Sequence, residues 1–377
     1  MVPLIRFYIF AFRQVREMKR ENEIFIVFIS ICYAFLCLGA FLKPQEEYSV
    51  TERRKLAQFP RLSKEVVFAG DFMKEFESYG LDQFPFRDRF RSLKAWTSLK
   101  KDENGIYMAK NHIVSMEYPL KEQSLLYASK KFRNIYDNYL KQKGCKVYLS
   151  VIPDKNYFFA KKEGYLSLDY ERIVSVMQEE NSYMNYIDIF KELSGEDYYK
   201  TDTHWRQERL VPVKEKLLKE MGVEVLAEYE VESIQQPFYG VLYGQAALAV
   251  EPDNINYLTN ERIEKYKVWD GENSREIPVY DLEKTTGKDP YEMFLGGPLS
   301  LITIENEQCE NQRQLIVFRD SYGSSIAPLL AEGYSKTTLI DIRYLQSNHL
   351  GQFVEFEDAD VLFLYSTLVL NNSETLK

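Results

Sequence analysis

Residues Gln314-Leu-Ile-Val-Phe-Arg-Asp-Ser321-Tyr-Gly-Ser-Ser325 decide how the chain is interpreted. The apolar run from Leu315 to Phe318 predicts a buried strand, a turn of small residues follows it, and residues 326–331 are typical of a short helix. This order places Ser321 at the carboxyl end of a sheet, beside the electropositive start of a helix. Nucleophilic serines and oxyanion sites both occur at such positions. The alternative interpretation is a turn serine that only caps the helix.

Strands alternate with helices on both sides of this stretch. We predict strands at 146–152, 186–190, 314–318, 337–342 and 361–365, and helices at 124–143, 170–180, 210–221, 324–332 and 346–356. Such alternation predicts an α/β fold whose sheet is mainly parallel and flanked by helices. Residues 236–300 interrupt the pattern, because they are rich in Tyr, Gly, Pro and Asn. We predict an irregular, β-rich insertion there, with a hairpin around Trp269.

The amino-acid composition argues against some classes of function. The 48 basic and 57 acidic residues give a formal net charge of −9, which argues against a nucleic-acid partner. The sequence has three histidines and no cysteine pair with zinc spacing, so neither a metal nor a cofactor is predicted. Cys145 and Cys309 are predicted to be unpaired thiols, and one disulfide between them is the alternative that spacing leaves open. The aromatic share of 15% suits both a core and a sugar-binding surface, so it does not decide between them.

The N-terminal part predicts a membrane anchor. Residues 24–42 form a run of 19 without a charge, about the length that spans a bilayer. Five basic residues precede the run, so residues 1–23 are predicted to be a cytoplasmic tail. Residues 43–60 are predicted to be a tether, and 61–377 an extracytoplasmic domain. The expected location is therefore the cell membrane, with a single span and a cytoplasmic N-terminus.

A second segment with chemical potential is Tyr198-Tyr-Lys-Thr-Asp202-Thr-His204-Trp205. An aspartate two residues before a histidine can fold back and accept the imidazole Nδ1–H, which leaves Nε2 free to act as a base. Asp202 and His204 are then the orienting and basic members of a serine triad. Two alternatives stay open at this point. Asp202 can instead cap a helix that begins at Arg206, or the pair can belong to a metal site.

Polar residues also follow other predicted strands. Asp154 and Lys155 come after the strand at 146–152, and Arg343 comes after the strand at 337–342. Ligands of open α/β sheets bind outside the carboxyl ends of the strands. These residues are therefore candidates for substrate contacts, although strand ends also carry charges simply because the chain enters water there.

Taken together, these segments resemble the DHHW proteins, which are similar to the alginate O-acetyltransferase group. The order of the His-bearing segment before the serine agrees with that resemblance, which covers most of the exported chain. The remaining matching motifs are Thr51-Glu-Arg-Arg-Lys-Leu-Ala-Gln-Phe-Pro60, Asp82-Gln-Phe-Pro-Phe-Arg-Asp88, Val151-Ile-Pro-Asp-Lys155, Phe238-Tyr-Gly240, Phe294-Leu-Gly-Gly297 and Ile340-Asp-Ile-Arg-Tyr344. The resemblance implies a permuted SGNH-hydrolase fold.

The resemblance also implies roles for individual residues. Ser321 becomes the nucleophile, His204 its base and Asp202 the orienting carboxylate, while Arg343 and Lys155 become substrate or oxyanion contacts. Pro298 stands where an SGNH-type asparagine is expected, so the backbone N–H groups from Ser321 through Tyr322 to Gly323 are left as the oxyanion donors. Thr203 and Arg206 also depart from the family pattern.

Two functions follow. The first is a membrane-anchored, serine-dependent O-acyl (acetyl) transferase or esterase that acts on a cell-surface polysaccharide. The resemblance implies a membrane-bound O-acyltransferase as its partner. The alternative is a protein on the same fold that binds or assembles surface glycans without catalysis, since a fold alone does not confer an activity.

Overall fold

The computed structural model of the chain describes residues 22–32, 34–35, 38–39, 42–49, 52, 54–60, 71–84, 86–97, 105–248 and 250–377. The chain divides into two units, Met1–Thr97 and Ser98–Lys377. The predicted cytoplasmic tail, 1–23, lies outside the described residues except for its last two positions.

The predicted anchor falls partly on described residues. Residues 22–32 are helical, whereas positions 33, 36, 37, 40 and 41 lie outside the description. None of the described helices is both long and apolar enough to cross a membrane.

The first unit has a small hairpin and two helices. Strands β1 (Tyr48–Ser49) and β2 (Arg54–Lys55) pair antiparallel, and helices α1 (Asp71–Asp82) and α2 (Arg87–Thr97) follow. Arg54 binds the Asp82 carboxylate with both terminal nitrogens, at 2.7 and 2.5 Å. Residues 43–60, predicted to be a tether, therefore carry a hairpin that an ion pair joins to α1. A bidentate pair of this kind fixes geometry as well as contributing energy.

The second unit is built on a sheet whose strand order is β10-β9-β11-β13-β12-β14-β5-β6 within the described residues. Strands β13, β12, β14, β5 and β6 run parallel, while β11, β9 and β10 form an antiparallel arm. The sheet is thus mixed, with the predicted parallel part as its larger half. Its strands are β5 (Lys146–Ile152), β6 (Asn185–Tyr186), β9 (Lys267–Asp270), β10 (Arg275–Ile277), β11 (Leu301–Glu305), β12 (Gln314–Arg319), β13 (Lys336–Ile340) and β14 (Asp360–Ser366).

Helices cover both faces of this sheet, as the near-continuous apolar strands require. Along β12, Leu315 and Val317 pack into one core, whereas Ile316 and Phe318 pack into the other. The two-residue period of a strand separates the side chains in this way. The helices of the second unit are α3 (Glu122–Ile135), α4 (Lys155–Glu163), α5 (Tyr170–Glu180), α6 (Val211–Glu220), α7 (Val241–Ala246), α8 (Gly323–Leu330) and α9 (Thr367–Leu370).

Two small antiparallel pairs lie outside the large sheet. They are β3 (Ile106–Ala109) with β4 (His112–Ser115), and β7 (Glu230–Ser233) with β8 (Asn256–Thr259). The hairpin predicted around Trp269 is present as β9 and β10. Several elements differ from the sequence-based expectation. Strand β11 and helices α4, α7 and α9 were not predicted, and the strand expected at 186–190 is only the two-residue β6. The helix expected at 346–356 is a 3-10 turn at Ser347–Gln352. Cys145 and Cys309 are both free thiols.

Candidate active site

Ser321 lies in the turn between β12 and α8, at the carboxyl end of the parallel strands. Helix α8 is preceded by Tyr322 at its N-cap, and no side chain caps it. The Ser321 hydroxyl is instead 2.8 Å from Nε2 of His204. Ser321 is half-buried, so its oxygen lies at the border of solvent. The capping interpretation therefore does not describe this serine.

The turn is fixed by Asp320, a buried residue to which the sequence analysis gave no role. Its carboxylate accepts hydrogen bonds from the Tyr322 N–H at 3.0 Å and from the backbone N–H and hydroxyl of Ser366 at 2.8 and 2.6 Å. The first bond is an Asx turn, which tightens the chain around Ser321. The other two connect the turn to the end of the neighbouring strand β14.

Asp202 and His204 form the tip of a narrow loop. Tyr198 and Trp205 pair across its base, and the Tyr199 N–H donates to the His204 carbonyl. The Asp202 carboxylate turns back and accepts from Nδ1 of His204 at 2.6 Å and from the His204 N–H at 3.0 Å. Burial alone would raise the pKa of the Asp202 carboxyl. The neighbouring imidazole and the donated hydrogen bonds nevertheless hold that pKa well below its usual range.

The structure thus brings three predicted residues into one hydrogen-bonded line. Asp202 accepts a hydrogen bond from the Nδ1–H of His204, so the unprotonated Nε2 can accept one from the Ser321 hydroxyl. The separations of 2.8 and 2.6 Å are within the hydrogen-bond distances that a serine nucleophile, its base and an orienting carboxylate would need. The two segments are more than 100 residues apart in sequence, and the fold alone brings them together.

Two buried charged residues hold the loop from behind. Asp253 accepts from the Lys200 N–H at 2.8 Å and from the Thr201 N–H and hydroxyl at 2.7 and 2.6 Å. Lys155 donates from Nζ to the carbonyls of Tyr199 and Asp202 at 2.8 and 2.7 Å. Asp253 thus fixes the backbone just before the loop tip, and Lys155 fixes it at Tyr199 and at Asp202 itself.

Lys155 is therefore not placed as a substrate contact, in contrast to the prediction. It is 3% exposed, and its ammonium is already bound to backbone oxygens. Burial lowers the pKa of this amine to about 7, although Asp202 and Asp253 oppose that shift. The preceding residue, Asp154, exchanges hydrogen bonds with Thr367 at 3.0 and 2.7 Å and so ties this end of β5 to the end of β14.

Aromatic rings enclose the imidazole. Tyr291 stacks on His204 with ring centroids 3.9 Å apart and planes 9° from parallel, and its hydroxyl donates to Ser325 Oγ at 2.9 Å. Trp205 donates from its indole N–H to the same oxygen at 2.9 Å. Tyr291 comes from the irregular insertion, and no sequence pattern singled it out. Its position limits how the imidazole can rotate.

The oxyanion donors are fewer than predicted. The Tyr322 N–H is used by the Asp320 carboxylate, and the Gly323 N–H donates to the Asp320 carbonyl at 3.0 Å. Among the described residues, the Ser321 N–H has no acceptor and so can still bind an oxyanion. The Tyr322 side chain is also committed, because its hydroxyl donates to the Thr203 carbonyl at 2.6 Å.

Arg343 lies near the turn but is held by a neighbour. Its Nε and one terminal nitrogen bind the Asp341 carboxylate at 2.9 and 2.6 Å. Burial opposes the charge, yet Asp341, and to a lesser extent Asp320, raises the pKa of the guanidinium. Arg343 thus contributes a fixed positive charge close to the Ser321 turn, and its contact with substrate stays a prediction.

The fold is similar to that of known structures. A DHHW family protein from Eubacterium siraeum DSM 15702 superposes with a TM-score of 0.57 at 18% identity, over 73% of this chain and 95% of that protein. The chain shares its fold with a DHHW family protein. The predicted resemblance is therefore confirmed at the level of the fold.

Other comparisons are consistent with this result. Bacillus cereus PatB1, whose structure with a sulfonyl adduct is known, matches with a TM-score of 0.57 at 16% identity, over 70% of this chain and 95% of PatB1. The O-acetyltransferase domain of Pseudomonas putida AlgJ matches with a lower TM-score of 0.43 at 14% identity, over 71% of this chain and 92% of that domain. No protein-family model and no curated protein matches the sequence.

Proposed function

We propose that the chain is a serine-dependent O-acyl transferase or esterase, with acetyl as the transferred group. One observation carries this proposal: Ser321 Oγ, His204 Nε2, His204 Nδ1 and Asp202 Oδ1 form an unbroken hydrogen-bonded line, with separations of 2.8 and 2.6 Å on the two sides of the imidazole. The serine is half-buried rather than enclosed, so an ester can approach it.

In the first step, His204 Nε2 takes the Ser321 proton as Oγ attacks the acyl carbonyl carbon. Asp202 stabilises the resulting imidazolium and keeps its own negative charge. The Ser321 N–H donates to the developing oxyanion, an interaction of the kind worth about 3–4 kcal/mol in the barrier. The tetrahedral intermediate then expels the donor alcohol, which takes the proton from Nε2. Ser321 is left as an acyl ester.

In the second step, an acceptor hydroxyl gives its proton to His204 and attacks the acyl ester, which releases the Ser321 hydroxyl. A sugar hydroxyl makes the protein a transferase, and water makes it an esterase. The same residues serve both outcomes. The motif resemblance to the alginate O-acetyltransferase group supports a polysaccharide as the acceptor and a membrane-bound O-acyltransferase as the acyl-supplying partner.

We also propose that residues 24–42 anchor the protein in the cell membrane with the catalytic unit outside. The absence of charge over this run and the basic residues before it support that location. In addition, the large apolar side chains from Ile24 to Ile29 are each at least half exposed in the described helix. A lipid environment would cover them.

Hydrolysis of 4-nitrophenyl acetate tests the proposal directly. Ser321→Ala and His204→Ala are expected to reduce turnover by the purified full-length protein to the background rate. Ser175→Ala, which removes a half-buried hydroxyl of α5 that donates to Glu179, is the matched control and should leave turnover unchanged. A sulfonyl fluoride should add one sulfonyl group to the wild type and none to Ser321→Ala, as intact-mass measurement can show.

The result that refutes the proposal is equal turnover by the wild type and both site variants. Sulfonylation of Ser321→Ala to the same extent as wild type would likewise remove Ser321 as the nucleophile. Addition of a polysaccharide acceptor separates the two enzymatic outcomes, because acyl transfer to sugar competes with release of free acetate. Glycan binding without any turnover would favour the non-catalytic alternative.

A further inference from the structure

A groove of about 710 Å³ lies in the second unit, between the β7–β8 pair and the chain that follows β10. Its lining includes four glutamates and two tyrosines that pack on each other: Glu230, Glu232, Glu264, Glu276, Tyr257 and Tyr280. We call it the acidic groove. No lysine or arginine is found among its described lining residues, so the groove is strongly negative.

The four carboxylates of the acidic groove are exposed, and none forms an ion pair within the described part of the chain. Like charges placed together raise the free energy of the folded state unless a cation neutralises them. The groove is thus complementary to a positively charged ligand.

A bound metal ion is not the cation that this arrangement fits. No group of three or more His, Cys, Asp or Glu side chains among the described residues is close enough to hold one. The carboxylates are spread along the groove, which suits a ligand whose positive charges are themselves spread along a chain.

The tyrosines add a second feature. The rings of Tyr257 and Tyr280 have centroids 4.6 Å apart and planes tilted by 47°. Tyr280 is fixed, because its hydroxyl donates to the Leu258 carbonyl at 2.7 Å. Glu232 lies opposite Tyr257 in the β7–β8 pair, and Glu264 lines the same groove. Burial raises the pKa of Tyr257, and both carboxylates add to that shift. A ring beside two carboxylates is a favourable site for an organic ammonium group.

The acidic groove is also joined to the candidate active site. Gln207 donates from its side-chain amide to the Tyr280 hydroxyl at 3.1 Å and to the Ser325 carbonyl at 2.6 Å. Ser325 Oγ in turn accepts from Tyr291, the ring that stacks on His204. A few hydrogen-bonded side chains therefore separate the groove from the imidazole.

We propose that the acidic groove binds a saccharide chain that carries unacylated amino groups, and that this chain is the acyl acceptor. The ammonium groups lie against Glu232, Glu264 and the Tyr257 ring, while another sugar of the same chain presents its hydroxyl to Ser321. The proposed binding rests only on the acidic and aromatic side chains that line the groove. The role as acceptor rests on the proposed function.

The test measures binding by titration calorimetry at low salt. The probes are a glucosamine tetramer, the fully N-acetylated tetramer and tetralysine, each added to the full-length protein. We expect the glucosamine tetramer to bind at least about tenfold more tightly than the other two. Glu232→Gln/Glu264→Gln and Tyr257→Leu should each weaken that binding about tenfold, because exposed ion pairs and cation–π contacts contribute modestly.

The double variant Glu355→Gln/Glu374→Gln is the matched control. It makes the same change in net charge at exposed positions outside the groove, and its binding should stay within twofold of wild type. Near-UV circular dichroism of each variant shows whether it is folded. Hydrolysis of 4-nitrophenyl acetate is measured on every variant, and the control variant Glu355→Gln/Glu374→Gln should hydrolyse it like wild type.

Four results would overturn the inference. They are no binding of the glucosamine tetramer, equal binding of the N-acetylated tetramer, equal binding of tetralysine, or an equal loss in the control variant. Tetralysine binding would mean that the groove takes a basic peptide. Loss of ester turnover is a separate readout, so failure of the catalytic proposal and failure of the groove proposal are distinguishable.

Discussion

Replacing Gly240 with alanine should disable the candidate active site without touching a reacting group. A Cβ atom on Gly240 would lie 2.3 Å from Cβ and 2.5 Å from Cα of Asp202, and 2.5 Å from the Thr201 carbonyl oxygen. Carbon atoms in ordinary contact are about 3.5–4.0 Å apart, so the Asp202 loop must move by roughly 1 Å. The φ angle of Gly240 is −74°, so steric contact and not backbone conformation is what requires glycine.

A movement of this size is enough to break the hydrogen-bonded line. Asp202 is displaced first, and His204 follows because its Nδ1 and its N–H both donate to that carboxylate. Misplacement of a catalytic group by about 1 Å can cost about 100-fold in rate. We therefore expect kcat/KM for 4-nitrophenyl acetate to fall about 100-fold. Overpacking also destabilises proteins by about 1–3 kcal/mol, so Tm should fall as well.

The matched control is Gly80→Ala on α1, where an added Cβ meets no atom within 4 Å. This variant should keep full turnover, and its helix should gain slightly from the better propensity of alanine. Turnover is compared at a temperature where Gly240→Ala is still folded by circular dichroism. If folded Gly240→Ala retains turnover within threefold of wild type, the close approach at Gly240 does not position the triad and the reasoning fails.

Three further predictions follow from the same contacts. Asp202→Asn should lower kcat/KM by about 10³- to 10⁴-fold, the effect expected when an amide stabilises the wrong tautomer of His204, while KM changes little. Lys155→Met should lower turnover. In addition, the pKa of Lys155 is lowered from 10.5 to about 7 in the folded state, so the unfolded chain binds more protons between these two pH values. Over that range the free energy of unfolding of the wild type, measured by urea titration, should rise with pH relative to that of the variant. Ser366→Ala and Thr367→Val should each lower turnover about tenfold. The double variant should lose less than the product of the two factors, because each substitution alone already disturbs the hydrogen bond between Ser321 and His204. An additive result in the double-mutant cycle would contradict this coupling.

The sequence predicted those features of the fold and of the site that depend on one short stretch of the chain. The apolar run before Ser321 predicted β12, whose bounds are Gln314–Arg319 in the structure. Asp202 and His204 are two residues apart, so their contact could be inferred from the reach of a short loop. The alternation of strands and helices likewise predicted the parallel half of the sheet and the helices on its faces.

The sequence did not predict contacts between side chains that are far apart along the chain and that no local pattern marks. Tyr291 stacks on His204 from 87 positions further along the chain, inside an insertion without regular periodicity. Lys155 was predicted to contact substrate because it follows a strand, but its side chain turns inward to carbonyls 44 and 47 residues away. The preference of a buried ammonium for backbone oxygens appears only once those oxygens have been placed.

The segments that carry Ser321 and His204 are joined through a third part of the chain, at the end of β14. Ser366 binds Asp320, which shapes the turn that carries Ser321. The next residue, Thr367, binds Asp154, whose neighbour Lys155 holds the Asp202 loop. Two consecutive residues thus fix both halves of the site against the buried sheet. The hydrogen bond between Ser321 and His204 forms only when both halves are correctly placed. We therefore expect the sheet to set its geometry before substrate arrives, so that the proposed reaction needs little reorganisation.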